Sequence, residues 1–142
     1  MHAPDRSRTL IFAGFLLFLL ALLTGLVIGV LPYPRLAQGS HIGGLMNGMF
    51  LVILGLAWER LHLGARAAPW VAGLVLFGTY ANWSFTLLAA VLGTGKLTPL
   101  ASGGHLADPW KEALVGAGLI SLAVCMIAAL ALIVWALRKP VE

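Results

Sequence analysis

His41 is a histidine near the start of the second of four long apolar segments. Its imidazole offers a lone pair for a metal ion and a proton for acid–base chemistry. No second ligand follows at the spacing of a metal site that is formed by side chains alone. A haem needs only one axial histidine, because the porphyrin supplies the other four nitrogens. Two interpretations are therefore open: a helix-end histidine that bonds a loop carbonyl, or an axial haem ligand.

Asn47 and Asn82 are amides inside the second and third apolar segments, where polar groups are costly and are often functional. Asn47 follows His41 by six residues, which on a helix is about 9 Å deeper and about 120° round the axis. The third segment runs back toward the side of His41. Asn47 and Asn82 are therefore predicted to lie at similar depth below His41, either to join helices to each other or to line a substrate pocket.

The third segment carries further polar groups on the face of Asn82. Thr79, Asn82 and Thr86 follow each other at i, i+3 and i+7, which places them on one side of a helix. Trp83 lies beside Asn82 in the middle of the segment, away from the interfacial belt where tryptophan is usual in membrane proteins. This combination favours a pocket over a stripe that only joins helices.

The composition places the chain among membrane proteins, since 61% of its residues are hydrophobic and only 10% are charged. The apolar segments 10–31, 42–61, 69–92 and 110–137 are each long enough to cross about 30 Å of hydrocarbon as a helix. The alternation typical of a membrane β-barrel is absent. The sequence therefore predicts an all-α fold, an integral membrane four-helix bundle that forms a single transmembrane domain over residues 1–142.

Basic residues at the ends of the segments predict the topology. With four spans both termini share one side, and that side carries more Lys and Arg than the other: Arg6, Arg8, Arg60, Arg66, Arg138 and Lys139 against Arg35, Lys96 and Lys111. Cytoplasmic loops carry the excess of basic residues. We expect a multi-pass protein of the inner membrane with both termini in the cytoplasm. The net charge of +4 is therefore explained by basic residues that set the topology, and does not indicate nucleic-acid binding.

Several classes of function are disfavoured by what the segments contain. No charged residue lies near the centre of a segment, which argues against proton pumping or ion coupling. The chain has no nucleotide-binding loop, no zinc-type Cys/His set and no Ser-His-Asp constellation, and Cys125 stands alone. An enzyme built from this chain needs a cofactor, a pair of polarising amides, or both.

The spacing of these residues resembles that of a known family. The run His41-x5-Asn47-Gly48-Met49 and the later Ala81-Asn82 resemble the styrene oxide isomerase-like membrane proteins. Within that group, residues 78–83 (Gly-Thr-Tyr-Ala-Asn-Trp) and 93–95 (Gly-Thr-Gly) are most similar to the hydroxylaminobenzene mutases. The resemblance extends over all four segments, with its specific matches in the second and third.

The resemblance implies a fold, a cofactor and a set of site residues. Styrene oxide isomerases are four-helix membrane proteins that assemble as trimers and hold haem b near a subunit interface. The family's haem-ligating histidine falls on His41, the metal ligand, and its substrate-orienting asparagines fall on Asn47 and Asn82. Its catalytic tyrosine falls on Thr86, a departure that disfavours epoxide isomerisation.

The leading hypothesis is a redox-neutral isomerase that rearranges hydroxylaminobenzene to 2-aminophenol. Ferric haem b on His41 is expected to act as a Lewis acid on the N–O group. Asn47 and Asn82 are expected to orient that group, and Thr86 to hydrogen-bond the departing oxygen. The expected partners are a small aromatic substrate, the lipid bilayer and further copies of the chain in a homo-oligomer, a trimer by resemblance.

Two other functions stay open. One is an isomerase that converts an epoxide to an aldehyde. The other is a haem-bearing electron-transfer subunit, which requires a second axial histidine. His105, in the connection 93–108, lies on the same predicted side as His41 and is the candidate for that ligand.

Overall fold

The computed structural model describes residues 5–138, and four long helices account for most of them. They are α1 (Arg6–Val27), α2 (Pro34–Ala57), α3 (Ala67–Leu92) and α5 (Pro109–Ala136), with a one-turn helix, α4 (Pro99–Ser102), before the last. Short 3₁₀ turns, Ile28–Val30 and Trp58–Leu61, extend α1 and α2. No strand occurs within residues 5–138, and each long helix is long and apolar enough to cross a membrane. The predicted all-α membrane fold is confirmed.

The second helix begins earlier than its apolar segment. Pro34 is its first residue, eight positions before the predicted start at 42. Proline is favoured at a first helical position because the missing N–H has no partner there. The polar residues between 35 and 41 hide this turn from a hydropathy window. His41 therefore lies in the third turn of α2, with helix on both sides of it, and not at the helix end.

Helices α1 and α2 pack most closely, because glycines face each other across the contact. A Cβ atom on Gly14 would lie 2.7 Å from the Gly48 carbonyl oxygen, and one on Gly48 would lie 2.8 Å from that of Gly14. Near the other end of the contact, the Ser7 hydroxyl donates to the Gly55 carbonyl at 2.7 Å. Small residues allow this backbone approach in a membrane, where dispersion contacts replace the hydrophobic effect.

The remaining helices pack in chain order. α2 also contacts α3, and α3 contacts α5, while α1 touches α3 much less. Buried side chains from all four long helices form the main apolar cluster, which includes Leu10, Leu51, Val75 and Ala129. α5 lies on the outer side of α3, where Gly118 receives the Phe85 ring and Gly78 receives Met126. The polar residues of α2 and α3 therefore lie within the three-helix part of the bundle.

The connection between α3 and α5 is held by specific bonds. The Glu112 carboxylate, in the first turn of α5, accepts backbone N–H groups from Gly95, Lys96 and Ala107 at 2.9–3.1 Å. His105 Nε2 lies 2.8 Å from the Tyr33 hydroxyl, at the start of α2. Both ends of this long loop are therefore fastened to the helices beside it.

Candidate active site

His41 is half-buried, and its ring turns from α2 toward α1. Its Nδ1 lies 2.7 Å from the carbonyl oxygen of Ala21. A carbonyl can only accept, so Nδ1 carries the proton and donates it. In the neutral imidazole, Nε2 then keeps its lone pair, and no residue among 5–138 bonds that atom. Metal-binding histidines commonly have this arrangement, in which a carbonyl holds the other ring nitrogen.

Gly25 provides the space for this ring. A Cβ atom at position 25 would lie 2.7 Å from His41 Cε1 and 2.8 Å from Nδ1. Both distances are too short for any side chain larger than hydrogen unless the ring moves. Ala21 and Gly25 are one turn apart on α1, so one face of that helix both bonds the imidazole and packs against it.

The Gly25→Ala substitution is expected to displace the ring and break its bond to Ala21. Overpacking of this kind costs about 1–3 kcal/mol. Gly29 is a matched control, since a Cβ atom there would meet nothing within 4 Å. Thermal unfolding in detergent should show a lower midpoint for Gly25→Ala and an unchanged or higher one for Gly29→Ala. Equal midpoints would contradict the described packing of the ring.

Trp83 connects the three inner helices beside His41. Its indole Nε1 donates to Thr24 Oγ1 on α1 at 3.0 Å. Its backbone carbonyl accepts the hydroxyl of Ser40 on α2 at 2.8 Å. The sequence pattern indicated that Trp83 marks a pocket, whereas the structure uses its indole to join α1 to α3. Ala21 and Thr24 were not predicted to matter, although Thr24 is the one polar residue in a long apolar run.

Asn47 and Asn82 both lie at the contact between α2 and α3. Asn82 Nδ2 is 3.9 Å from where a Cβ atom of Gly43 would be, and Gly43 lies one turn before Asn47 on the same face of α2. Asn47 Nδ2 is buried and has no hydrogen-bond partner. A buried donor without a partner costs roughly 1–3 kcal/mol. The amide therefore has a donor free for a substrate or for a neighbouring copy of the chain.

His41 and Asn47 lie on different flanks of α2. Their separation of six residues turns them about 120° apart round the helix, and each flank packs against a different helix. His41 faces α1, whereas Gly43 and Asn47 face α3. Within one chain, the imidazole and the Asn47 amide therefore point from α2 in directions about 120° apart.

Thr86 hydrogen-bonds within its own helix. Its hydroxyl has the carbonyls of Asn82 and Trp83 as acceptors, and Thr79 bonds Val75 in the same way at 2.7 Å. Such back-bonding satisfies hydroxyls in helices that have no water around them. In this rotamer Thr86 has no proton to give, but its oxygen lone pairs can still accept a hydrogen bond.

His105 and His41 are not brought together. His105 bonds Tyr33 at the surface, and the two rings stack with centroids 4.9 Å apart. His41 bonds Ala21 about two turns further along α2. No group of three or more His, Cys, Asp or Glu residues that could hold a metal ion occurs within residues 5–138. The structure therefore gives His105 no place as a second axial ligand within one chain.

The cavities of a single chain lie away from these residues. One of about 670 Å³ is bounded by the loop around Lys96 and Leu106 and by the first three turns of α5. Another, of about 210 Å³, is wholly apolar and lies between α1 and α2, lined by Phe15, Phe18, Met49, Val52 and Ile53. Neither of these two cavities is lined by His41, Asn47 or Asn82.

Comparison with known proteins identifies the family. The styrene oxide isomerase family model matches residues 6–138. Hydroxylaminobenzene mutase HabB of Ectopseudomonas oleovorans is 43% identical over 98% of this chain and 88% of its own length. Hydroxylaminobenzene mutase HabA of the same organism is 44% identical over 86% of this chain and 92% of its own length. The matches and the fold agree with the resemblance seen in the site residues, and the chain is a membrane isomerase that belongs to the styrene oxide isomerase family.

Proposed function

We propose that this isomerase rearranges hydroxylaminobenzene, or a closely related N-aryl hydroxylamine, to 2-aminophenol. The hydroxyl group leaves nitrogen with the N–O electron pair, and oxygen bonds the ortho carbon as water or hydroxide. The ortho carbon then loses its proton, and the nitrogen regains one. Substrate and product are isomers, so no oxidant or reductant is consumed. The two similar hydroxylaminobenzene mutases support this choice of substrate.

The observation that carries the proposal is the unpartnered amide of Asn47, one turn along α2 from Gly43, which lies near the Asn82 amide. A buried N–H donor of this kind suits an oxygen that gains negative charge as the N–O bond breaks. Donors fixed in place before reaction stabilise that charge without reorganisation. Thr86, as an acceptor only, can receive a hydrogen bond from the substrate N–H or from the water that adds to the ring.

His41 is the residue that we expect to bind haem b. The bond from Nδ1–H to the Ala21 carbonyl fits this role, because it leaves the Nε2 lone pair for iron and strengthens the imidazole as a donor. Ferric haem would supply a Lewis acid for the oxygen of the N–O group. The protein's part is to hold the imidazole in one tautomer and to orient the aromatic ring in apolar surroundings.

The proposed assembly is a homo-oligomer, a trimer by resemblance to the family. Because the imidazole of His41 and the Asn47 amide point from α2 in different directions, we expect a second copy to complete the site on the His41 side. Many apolar side chains of the long helices are also exposed, including Leu26, Ile53 and Ile127. These surfaces suit lipid and neighbouring copies of the chain.

The proposed location is the bacterial inner membrane with both termini in the cytoplasm. The excess of basic residues on the side of the termini supports this orientation. His41 then lies toward the opposite side of the bilayer, since α1 crosses before α2 begins.

Turnover by the purified protein tests the proposed reaction. Hydroxylaminobenzene is supplied without air, reductant or oxidant, and products are identified by chromatography and mass spectrometry. We expect 2-aminophenol in an amount equal to the substrate consumed, over many turnovers. Formation of aniline or nitrosobenzene instead would show redox chemistry and would contradict the proposal.

A further inference from the structure

We propose that Thr24 and Trp83 are positioning residues for His41. Their hydrogen bond fixes the position of α1 near Ala21. The Ala21 carbonyl then holds the imidazole in the tautomer whose Nε2 has a free lone pair. The inference rests on the proposed role of His41 as a ligand-binding residue. Neither Thr24 nor Trp83 contacts the reacting groups in this account.

The bond between the two side chains is buried and specific. Trp83 Nε1 donates to Thr24 Oγ1 at 3.0 Å, and Thr24 Oγ1 in turn donates to the Leu20 carbonyl at 2.9 Å. Thr24 is only 4% exposed, so water does not replace the indole as its partner. An indole N–H is a donor only and requires an acceptor at this depth. The pair therefore fixes the separation of α1 and α3 at this level.

The same indole also meets α2 close to the histidine. A Cβ atom on Gly44 would lie 2.8 Å from Trp83 Cδ1 and 2.7 Å from the Cβ atom of Ala21. Gly44 is less than one turn from His41 on α2. The indole, Ala21 and the backbone of α2 therefore converge where the carbonyl of Ala21 receives the imidazole N–H.

A second hydrogen bond connects Trp83 to α2 next to His41. Ser40 precedes His41 in α2 and donates to the Trp83 carbonyl at 2.8 Å. One residue of α3 thus holds α2 through its backbone and α1 through its side chain. Because interiors are close-packed, a small shift of α1 lengthens the bond between Ala21 and His41. The tautomer with its proton on Nε2 then competes, and that form cannot bind a metal through Nε2.

Tyr80 supplies a matched control for a purely structural role. Its hydroxyl donates to the Ala13 carbonyl at 2.8 Å, which is also a bond from α3 to α1. Ala13 is eight residues from Ala21, or about 12 Å along the helix. Loss of the Tyr80 bond should weaken the helix contact without reaching the imidazole.

The test compares Thr24→Val, Trp83→Phe and Tyr80→Phe in the full chain. Each is purified in detergent micelles with ¹⁵N-labelled histidine, and His41→Ala assigns the His41 signals. We expect all three substitutions to lower the thermal unfolding midpoint. Only Thr24→Val and Trp83→Phe should move the His41 nitrogen signals, toward the average of the two tautomers. In preparations that carry haem, the ferric electron paramagnetic resonance spectrum should change in Thr24→Val and Trp83→Phe. It should stay unchanged in Tyr80→Phe.

Two results would overturn the inference. One is His41 signals that stay as in the unsubstituted protein in both Thr24→Val and Trp83→Phe. The other is an equal shift in Tyr80→Phe, which would show that any weakening of the helix contact moves the ring. The nitrogen signals are recorded on haem-free protein, so they report the tautomer independently of hydroxylamine turnover. Failure of the proposed function is therefore seen separately, in the turnover assay.

Discussion

His41→Ala is expected to abolish haem binding and to reduce turnover of hydroxylaminobenzene to background. The imidazole is the only group near this site with a free lone pair of the kind that binds haem iron, among the residues that the structure describes. Its loss removes the proposed axial ligand, and no second histidine within residues 5–138 lies close enough to replace it. The absorption spectrum of the purified variant should lack the Soret band.

The control for this experiment is His105→Ala. His105 bonds Tyr33 in the connection between α3 and α5 and stands apart from His41. This variant should keep both its haem spectrum and its activity. If His105→Ala instead converted a low-spin iron to a high-spin one, His105 would be an axial ligand, and the electron-transfer function would replace the isomerase as the explanation of the haem.

Asn47→Leu is expected to produce a protein that is much less active but no less stable. Asn47 Nδ2 is buried without a partner, so its replacement by an apolar side chain of similar size removes a cost rather than a bond. If the amide serves the substrate oxygen, loss of that donor should lower kcat about 100-fold or more, as losses of single fixed donors do. Turnover and thermal unfolding, measured on the same preparation, separate the two effects.

A neighbouring substitution gives the baseline for Asn47→Leu. Met46 is exposed on the outer face of α2, and Met46→Leu should change neither turnover nor the unfolding midpoint. An Asn47→Leu variant that unfolds more easily and turns over normally would show that Asn47 joins helices and does not serve the substrate.

The sequence predicts the four spans well, because apolar segments of this length have few alternatives in a membrane. It also predicts that Asn47 and Asn82 lie close in depth, since this follows from helix rise alone. The structure places the Asn82 amide near Gly43, which is one turn from Asn47 along α2. The start of α2 at Pro34 was not predicted, because its first two turns are too polar for a hydropathy window.

The partners of His41 could not be predicted from the sequence. α1 is apolar on all sides, so no periodic pattern shows which face meets the imidazole. The contact depends on a backbone carbonyl and on a glycine, and neither has a side chain that signals its role. The role of Trp83 in joining helices was also hidden, because its hydrogen-bond partner Thr24 lies 59 residues away on another helix.

Competition between two substrates tests the central claim most directly. Hydroxylaminobenzene and styrene oxide are offered together to the purified protein, without external oxidant or reductant, and 2-aminophenol and phenylacetaldehyde are measured from the same samples. Thr86 stands where the resemblance implies the family's tyrosine, and it is shorter and hydrogen-bonds its own helix. Because a misplaced reacting group can cost about 100-fold in rate, we expect kcat/KM for hydroxylaminobenzene to exceed that for styrene oxide by ~100-fold or more. Preferential formation of phenylacetaldehyde would contradict this account and would identify the protein as an epoxide isomerase.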